Sequence, residues 1–110
     1  METTNSYKTV SPEEFSKVID TDGINVLDVR DADSYKTSHI KGAKNIDVTL
    51  PDFVKLAEKE LPKDMPIAVY CRTGKRSAMA SDLLSKAGYN VTNLDGGITA
   101  WQEAGLPVVN

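Results

Sequence analysis

The stretch PIAVYCRTGKRSAMASDLLSKAG, residues 66–88, decides the fold class of this chain. It opens with PIAVYC, whose β-branched and aromatic side chains favour a buried strand. A loop with one glycine follows. A helix is then predicted to begin close to Ser77 and to end at Gly88, which suits the C′ position. One face of this helix is predicted to be apolar and to carry Met79, Leu83, Leu84 and Ala87.

Near the start of the chain, the segment SPEEFSKVID at residues 11–20 predicts a first helix. Ser11 suits the N-cap, Pro12 the first helical position and Glu14 the third position of a capping box. The side chains that would share its apolar face are Phe15, Val18 and Ile19. The helix therefore has both a defined start and a side to bury.

The remaining segments alternate in the same way. Strands are predicted over residues 7–10, 24–30, 45–48 and 90–94, and helices over residues 31–38, 50–61 and 98–105, with Pro62 stopping the second of these. Strands that alternate with helices indicate an α/β domain with a mostly parallel sheet and helices on both faces. We expect a single domain over residues 1–110.

Composition narrows the function classes. The chain has 110 residues, a net charge of -3 and one cysteine. The acidic balance argues against nucleic-acid binding, and no apolar run is long enough to span a membrane. One cysteine makes no internal disulfide and is too few for a structural zinc site. Because the start lacks a signal peptide, we expect a cytoplasmic protein, or a periplasmic one if a leader was trimmed.

The lone cysteine, Cys71, lies where the strand meets the loop, beside Arg72, Lys75 and Arg76 and with no acid nearby. Unpaired backbone N–H groups of the loop and of the first helical turn can form an anion nest, and Gly74 allows the loop to curl. Such surroundings lower the pKa of a cysteine and make a nucleophilic thiolate. The competing interpretation is a small buried hydrophobe beside solvated charges.

Five segments together resemble a single-domain rhodanese, a sulfurtransferase family. They are LDVR at residues 27–30, HIKGAKNI at 39–46, VYCRTGKRS at 69–77, GYNVTNLDGGITAW at 88–101 and GLPV at 105–108. The resemblance covers nearly the whole chain, from about Val10 to Val108. It implies a rhodanese-like sandwich around a five-stranded, mainly parallel sheet.

The resemblance also implies a chemistry. Cys71 takes the outer sulfur of a donor such as thiosulfate as a persulfide and passes it to cyanide, a thiol or a protein. The substrate-binding cradle is implied to be the loop Arg72, Thr73, Gly74, Lys75, Arg76 and Ser77, with no metal or organic cofactor. The implied partners are a small anionic sulfur donor and a thiol or protein acceptor, with no nucleic acid or membrane, and the protein is expected to be a monomer.

Two alternatives remain open. A rhodanese-fold module that only binds partners would keep the thiol incidentally. A phosphatase or arsenate reductase of the same fold has five residues between its cysteine and arginine, whereas only four separate Cys71 from Arg76. No acid in the loop is available to protonate a leaving alcohol.

Further polar and aromatic residues are interpreted mainly as scaffold. Asp28 and Arg30 end a strand expected beside that of Cys71, either as an ion pair or as groups that orient the cradle. His39 is expected to be structural. Asp95, Gly96 and Gly97 are predicted to turn beside the loop, and Trp101, Tyr35 and Tyr70 to lie in the core.

Overall fold

The computed structural model describes residues 7–110, which form five strands and five helices in strict alternation. The strands are β1 (Lys8–Val10), β2 (Asn25–Asp28), β3 (Lys44–Asn45), β4 (Ile67–Tyr70) and β5 (Val91–Leu94). The helices are α1 (Pro12–Ile19), α2 (Ala32–Thr37), α3 (Phe53–Glu60), α4 (Lys75–Lys86) and α5 (Gly97–Glu103). Within residues 7–110, no helix has the length and apolar character needed to cross a membrane.

The strands form one sheet in the order β1-β5-β4-β2-β3. Every pair in it is parallel, so the predicted five-stranded, mainly parallel sheet is confirmed. The central strand β4 lies between β2 and β5, and Asp28 pairs in register with Tyr70. The carboxyl ends of β2 and β4 therefore meet at one edge, which is where α/β sheets bind ligands.

Apolar side chains cover both faces of this sheet. One core cluster lies under α3 and α4 and includes Leu27, Val69 and Leu84. The other lies under α1 and α5 and includes Phe15 and Trp101. Strand residues alternate between the clusters because successive side chains in a strand point to opposite faces. The predicted helices on both faces are thus confirmed.

The start of α1 follows its sequence signal. The Ser11 hydroxyl oxygen accepts a hydrogen bond from the backbone N–H of Glu14 at 3.2 Å, and Pro12 is the first helical residue. The predicted end of α4 is also confirmed, because Gly88 follows the last turn with φ of 103°. Both ends are set by local chemistry, which makes them readable from sequence.

Two predictions about elements were wrong in detail. The strand predicted over residues 45–48 is the two-residue strand β3, which pairs with β2 and ends the strand order of the described sheet. Helix α4 begins at Lys75, and its buried face carries Ser77, Ala80, Ser81 and Leu84. Met79 and Leu83 are instead exposed. The buried face thus carries three small side chains beside Leu84, so hydrophobicity alone does not predict which face is buried.

Candidate active site

The segment between β4 and α4 wraps around the sulfur of Cys71. Cys71 follows the last residue of the central strand and is only 3% exposed. Gly74 adopts φ of 107°, which returns the chain to the helix start at Lys75. Its backbone N–H donates to Cys71 Sγ at 3.0 Å. The loop therefore curls back on the strand end, and the sulfur accepts a hydrogen bond from it.

Several donors converge on this sulfur. Burial raises the pKa of the Cys71 thiol, but hydrogen bonds from the Ser77 hydroxyl and from the backbone N–H groups of Ser77, Gly74 and Thr73 outweigh burial. The net effect is a pKa below the ordinary cysteine value. The Ser77 hydroxyl also lies 3.2 Å from the Gly74 carbonyl oxygen. Its single proton serves one acceptor at a time, and a charged thiolate is the stronger one.

The loop carbonyls are held on the other side by the start of α5. The N–H of Ile98 donates to the Cys71 carbonyl at 2.9 Å, and that of Thr99 donates to the Arg72 carbonyl at 3.1 Å. Gly97, with φ of 63°, approaches so closely that an added Cβ would lie 2.6 Å from the Cys71 carbonyl oxygen. Because these carbonyls point toward α5, the N–H groups are free to face the sulfur. Gly97 thus lies beside the loop as predicted.

A cavity of about 400 Å³ has Cys71 in its wall. The other lining residues are Arg30, Asp31, Ser34, Arg72, Thr73, Lys75 and Arg76. Gly74 and Ser77 do not line the cavity but hold the sulfur from the loop side. Cations dominate the lining, so the cavity favours an anionic ligand.

Asp31 and Ser34 were not predicted as site residues. Asp31 is the N-cap of α2, where its carboxylate accepts from the Ser34 N–H at 2.8 Å. Hydrogen bonds from the Ser34 hydroxyl and N–H, together with the charges of Arg72 and Arg76, lower the pKa of Asp31. Arg72 Nη2 also donates to Ser34 Oγ at 3.3 Å. The capping pattern was visible in the sequence, but its place on the cavity rim was not.

Asp28 and Arg30 form a buried ion pair behind the cavity. Arg30 Nη2 lies 2.6 Å from Asp28 Oδ2, and its Nε donates to both carboxylate oxygens. Burial lowers the pKa of Arg30, but the bonds and charge of Asp28 more than reverse this, so the net shift is upward. Burial and the charge of Asp28 also raise the pKa of Tyr70. Arg30 lines the cavity and Asp28 does not.

The remaining candidates are structural in their contacts. His39 Nδ1 lies 2.8 Å from the Tyr35 carbonyl oxygen, and the two rings stack at 3.9 Å. Trp101 is buried and donates to the Pro107 carbonyl at 2.8 Å, and Tyr70 is fully buried. None of these four side chains lines the cavity that contains Cys71. Within residues 7–110, no group of three or more His, Cys, Asp or Glu side chains is placed to hold a metal ion.

Comparisons with known proteins agree with this geometry. Residues 11–104 match the family model described as Rhodanese-like domain. The chain is 33% identical over 101 residues to thiosulfate sulfurtransferase GlpE of Shewanella oneidensis, covering 90% of this chain and 96% of that protein. It is 35% identical over 94 residues to a sulfurtransferase of Allochromatium vinosum, covering 84% and 85%.

Relatives of other architecture and solved structures match as well. A tRNA uridine(34) hydroxylase of Staphylococcus carnosus is 35% identical over 105 residues, but this chain spans only 32% of its length. The crystal structure of a rhodanese-related protein from Thermoplasma volcanium superposes with a TM-score of 0.81 at 33% identity, covering 94% of this chain and 98% of that one.

Proposed function

The chain belongs to the rhodanese-like domain family, and from that premise we propose that it is a sulfurtransferase whose nucleophile is Cys71. The observation that carries the proposal is the surroundings of one atom. Cys71 lines a cationic cavity, its Sγ accepts the Gly74 N–H, and its pKa is lowered by the donors around it. A buried cysteine with a lowered pKa that still faces a cavity is poised to react.

The first step loads the cysteine. The Cys71 thiolate attacks the outer sulfur of thiosulfate or a similar donor, and a new S–S bond forms. The S–S bond of the donor breaks, and sulfite departs with its electron pair. The N–H groups of Thr73, Gly74 and Ser77, which favour the thiolate, are placed to stabilise the persulfide anion that replaces it.

The second step unloads it. A nucleophilic acceptor attacks the outer sulfur of the persulfide, and Cys71 leaves as the thiolate that began the cycle. Cyanide serves as acceptor in an assay, and a thiol or protein serves in the cell. With one cysteine in the chain, the persulfide has no internal thiol to attack it.

We assign the cationic side chains of the cavity to binding the anionic sulfur donor. Arg72, Lys75 and Arg76 line the cavity and draw an anionic donor to a protein of net charge -3. Arg72 and Arg76 each have a planar guanidinium that can bind two oxygens of the sulfonate part of thiosulfate. Thr73 lines the same cavity.

Phosphatase chemistry is less well supported by the same site. The loop between Cys71 and Arg76 has only four residues. Asp31 brings a carboxylate to the cavity rim, but its lowered pKa keeps it ionised and unable to protonate a leaving alcohol. A module that only binds partners has no use for a cysteine whose pKa is lowered by convergent donors.

The test is a two-stage mass measurement. Wild-type protein incubated with thiosulfate gains one sulfur atom, and Cys71→Ser gains none. Added cyanide then removes the atom and yields thiocyanate. Wild-type protein that gains no sulfur, or that releases none to cyanide, refutes the proposal. Turnover of an aryl phosphate or arsenate instead would favour the alternative enzyme.

A further inference from the structure

Three exposed apolar side chains lie near one another on the α3 and α4 side of the sheet. Among residues 7–110, the exposed large hydrophobic residues are Leu50, Met79, Leu83 and Val109. Met79, at 51% exposure, and Leu83, at 37%, lie four residues apart on α4 and therefore on one face of that helix. Leu83 and Leu50 together line a cleft of about 520 Å³. Three of the four thus form one connected patch.

This patch is continuous with the active site. Lys75, the first residue of α4, lines the cavity that contains Cys71. Lys75, Met79 and Leu83 recur every four residues, so they form a single row about 12 Å long. We call this row, together with Leu50, the α4 stripe. It begins at the cavity mouth and ends in the apolar cleft.

We propose that the α4 stripe is the docking surface for a protein sulfur acceptor whose cysteine lies beside apolar and acidic residues. This proposal rests on the proposed sulfurtransferase function. A small thiol needs only the cavity, whereas the stripe extends well past it. An extended segment of a partner would place its apolar residues on Met79 and Leu83 while its thiol enters the cavity.

Charge decides the kind of partner. Lys75 and Arg76 are exposed at the cavity end of the stripe, and neither forms an ion pair within the described part of the chain. Acidic groups beside the partner's cysteine would complement them and speed the encounter. Two copies of this chain would instead bring like charges to the same interface.

The transfer balances without an added oxidant. The acceptor thiol gives up its proton, and its sulfur forms a bond to the outer sulfur of the Cys71 persulfide. The bond between that atom and Cys71 Sγ breaks, and Cys71 keeps the electron pair as a thiolate. The proton passes to solvent or to the new persulfide on the acceptor.

The experiment uses defined peptides as acceptors. One synthetic peptide carries a single cysteine flanked by leucines and glutamates. One matched peptide carries serines in place of the leucines. A second carries lysines in place of the glutamates. Full-length protein is first loaded with thiosulfate and its mass is checked, and then the rate of sulfur transfer to each peptide is measured. The variants are Met79→Gln with Leu83→Gln, and Val109→Gln as control.

Val109 is a fair control because it is also an exposed aliphatic residue, at 39%, but bridges to His39. Its neighbour Val108 packs against the core on the α1 and α5 side of the sheet. We expect the double variant to transfer sulfur to the leucine–glutamate peptide about tenfold more slowly than wild type. Loading and transfer to cyanide should be unchanged, and Val109→Gln should behave as wild type. The two matched peptides should be poor acceptors for all proteins.

The outcomes separate the two proposals. Equal rates for wild type and double variant overturn the docking surface, as does an equal loss with cyanide. A self-association that the double variant abolishes also overturns it, since a second copy would then occupy the stripe. If wild type fails to load, the function is refuted. Docking is then judged by binding of the leucine–glutamate peptide, with serine in place of its cysteine, to Cys71→Ser. The same binding is measured for Cys71→Ser that also carries Met79→Gln and Leu83→Gln. Binding that the glutamines do not weaken then overturns docking.

Discussion

The backbone N–H of Ile98 donates to the carbonyl oxygen of Cys71 at 2.9 Å, so the last helix holds the residue that bears the nucleophile. The adjacent bond from Thr99 to Arg72 extends the same contact. These bonds satisfy the loop carbonyls and leave the amides to face the sulfur. The start of α5 is therefore part of the site, although no side chain of α5 lines the cavity.

Gly97→Ala tests this contact. The new Cβ would lie 2.6 Å from the Cys71 carbonyl oxygen, and closer still to the Arg72 carbonyl, at a φ of 63°. Gly105→Ala is the matched control, because its φ is 82° but nothing in the described part of the chain lies within 4 Å of the new atom. We expect both to lose about 1 kcal/mol for the left-handed backbone, and Gly97→Ala to lose about 1–3 kcal/mol more.

Urea unfolding measures these losses, and sulfur loading from thiosulfate measures the effect on the loop. Only Gly97→Ala should load more slowly, because only there must the loop carbonyls move. Equal stability and equal loading for the two variants would show that α5 does not position the loop.

Ser77→Ala tests the hydroxyl that contributes to the lowered pKa of Cys71. In this variant burial still disfavours the thiolate, but one fewer hydrogen-bond donor stabilises it. The pKa of Cys71 should therefore rise. Alkylation at neutral pH should slow, and the rates of variant and wild type should converge in alkali, where both thiols are ionised. The measurement is the rate of carbamidomethylation against pH.

The control for that titration is Ser81→Ala. Ser81 is also fully buried on α4, one turn further on, but its hydroxyl has no hydrogen-bond partner among residues 7–110. Its loss should leave the alkylation profile in place. A shift as large as that of Ser77→Ala would mean that the profile reports packing and not the hydrogen bond.

Arg30→Met tests the buried ion pair. The Asp28 carboxylate is fully buried, and removing its partner leaves an uncompensated charge. We expect a loss of about 3–5 kcal/mol in the free energy of unfolding. Adding Asp28→Asn should recover part of the loss because the unpaired charge is gone. Chemical denaturation measures both.

Lys86→Met serves as the comparison for that pair. This substitution breaks the ion pair between Lys86 and Asp82. The side chain of Lys86 is 64% exposed and that of Asp82 is 45% exposed. The expected loss is about 0.5 kcal/mol or less, because solvent already screens an exposed pair. A similar small loss for Arg30→Met would show that the Asp28 pair does not brace the fold.

Asp31→Asn tests the acid on the cavity rim. Asparagine keeps the capping oxygen but removes a negative charge that faces Arg72 and Arg76. The KM for thiosulfate should fall by about two- to fivefold, as expected for one screened charge, while kcat stays the same. Asp33→Asn is the control, since Asp33 is exposed in the same helix but does not line the cavity.

The pH dependence of that effect has a definite sign. Hydrogen bonds from Ser34 lower the pKa of Asp31, so the carboxylate stays ionised at neutral and mildly acidic pH. The difference in KM between wild type and Asp31→Asn should persist there. It should vanish only as the pH falls through the lowered pKa and wild type becomes neutral. A difference lost near neutrality would contradict the assignment.

Most of the fold was readable because its signals are local. The cap at Ser11, the glycine after α4 and the apolar strand before Cys71 each act through neighbours in sequence. The buried face of α4 was not readable in the same way. Leu83 is exposed and Ser77 is fully buried, and which face of α4 meets the sheet depends on the tertiary arrangement and not on the helix sequence alone.

The sequence by itself determined that a strand, a glycine loop and a helix would hold Cys71 among backbone donors, since those residues are consecutive. Only the tertiary structure decided that Asp31 and Ser34 line the cavity and that α5 holds the loop carbonyls. The reason is strand order. Placing β4 between β2 and β5 brings together chain segments that are far apart in sequence, and no local pattern records which strands will be neighbours.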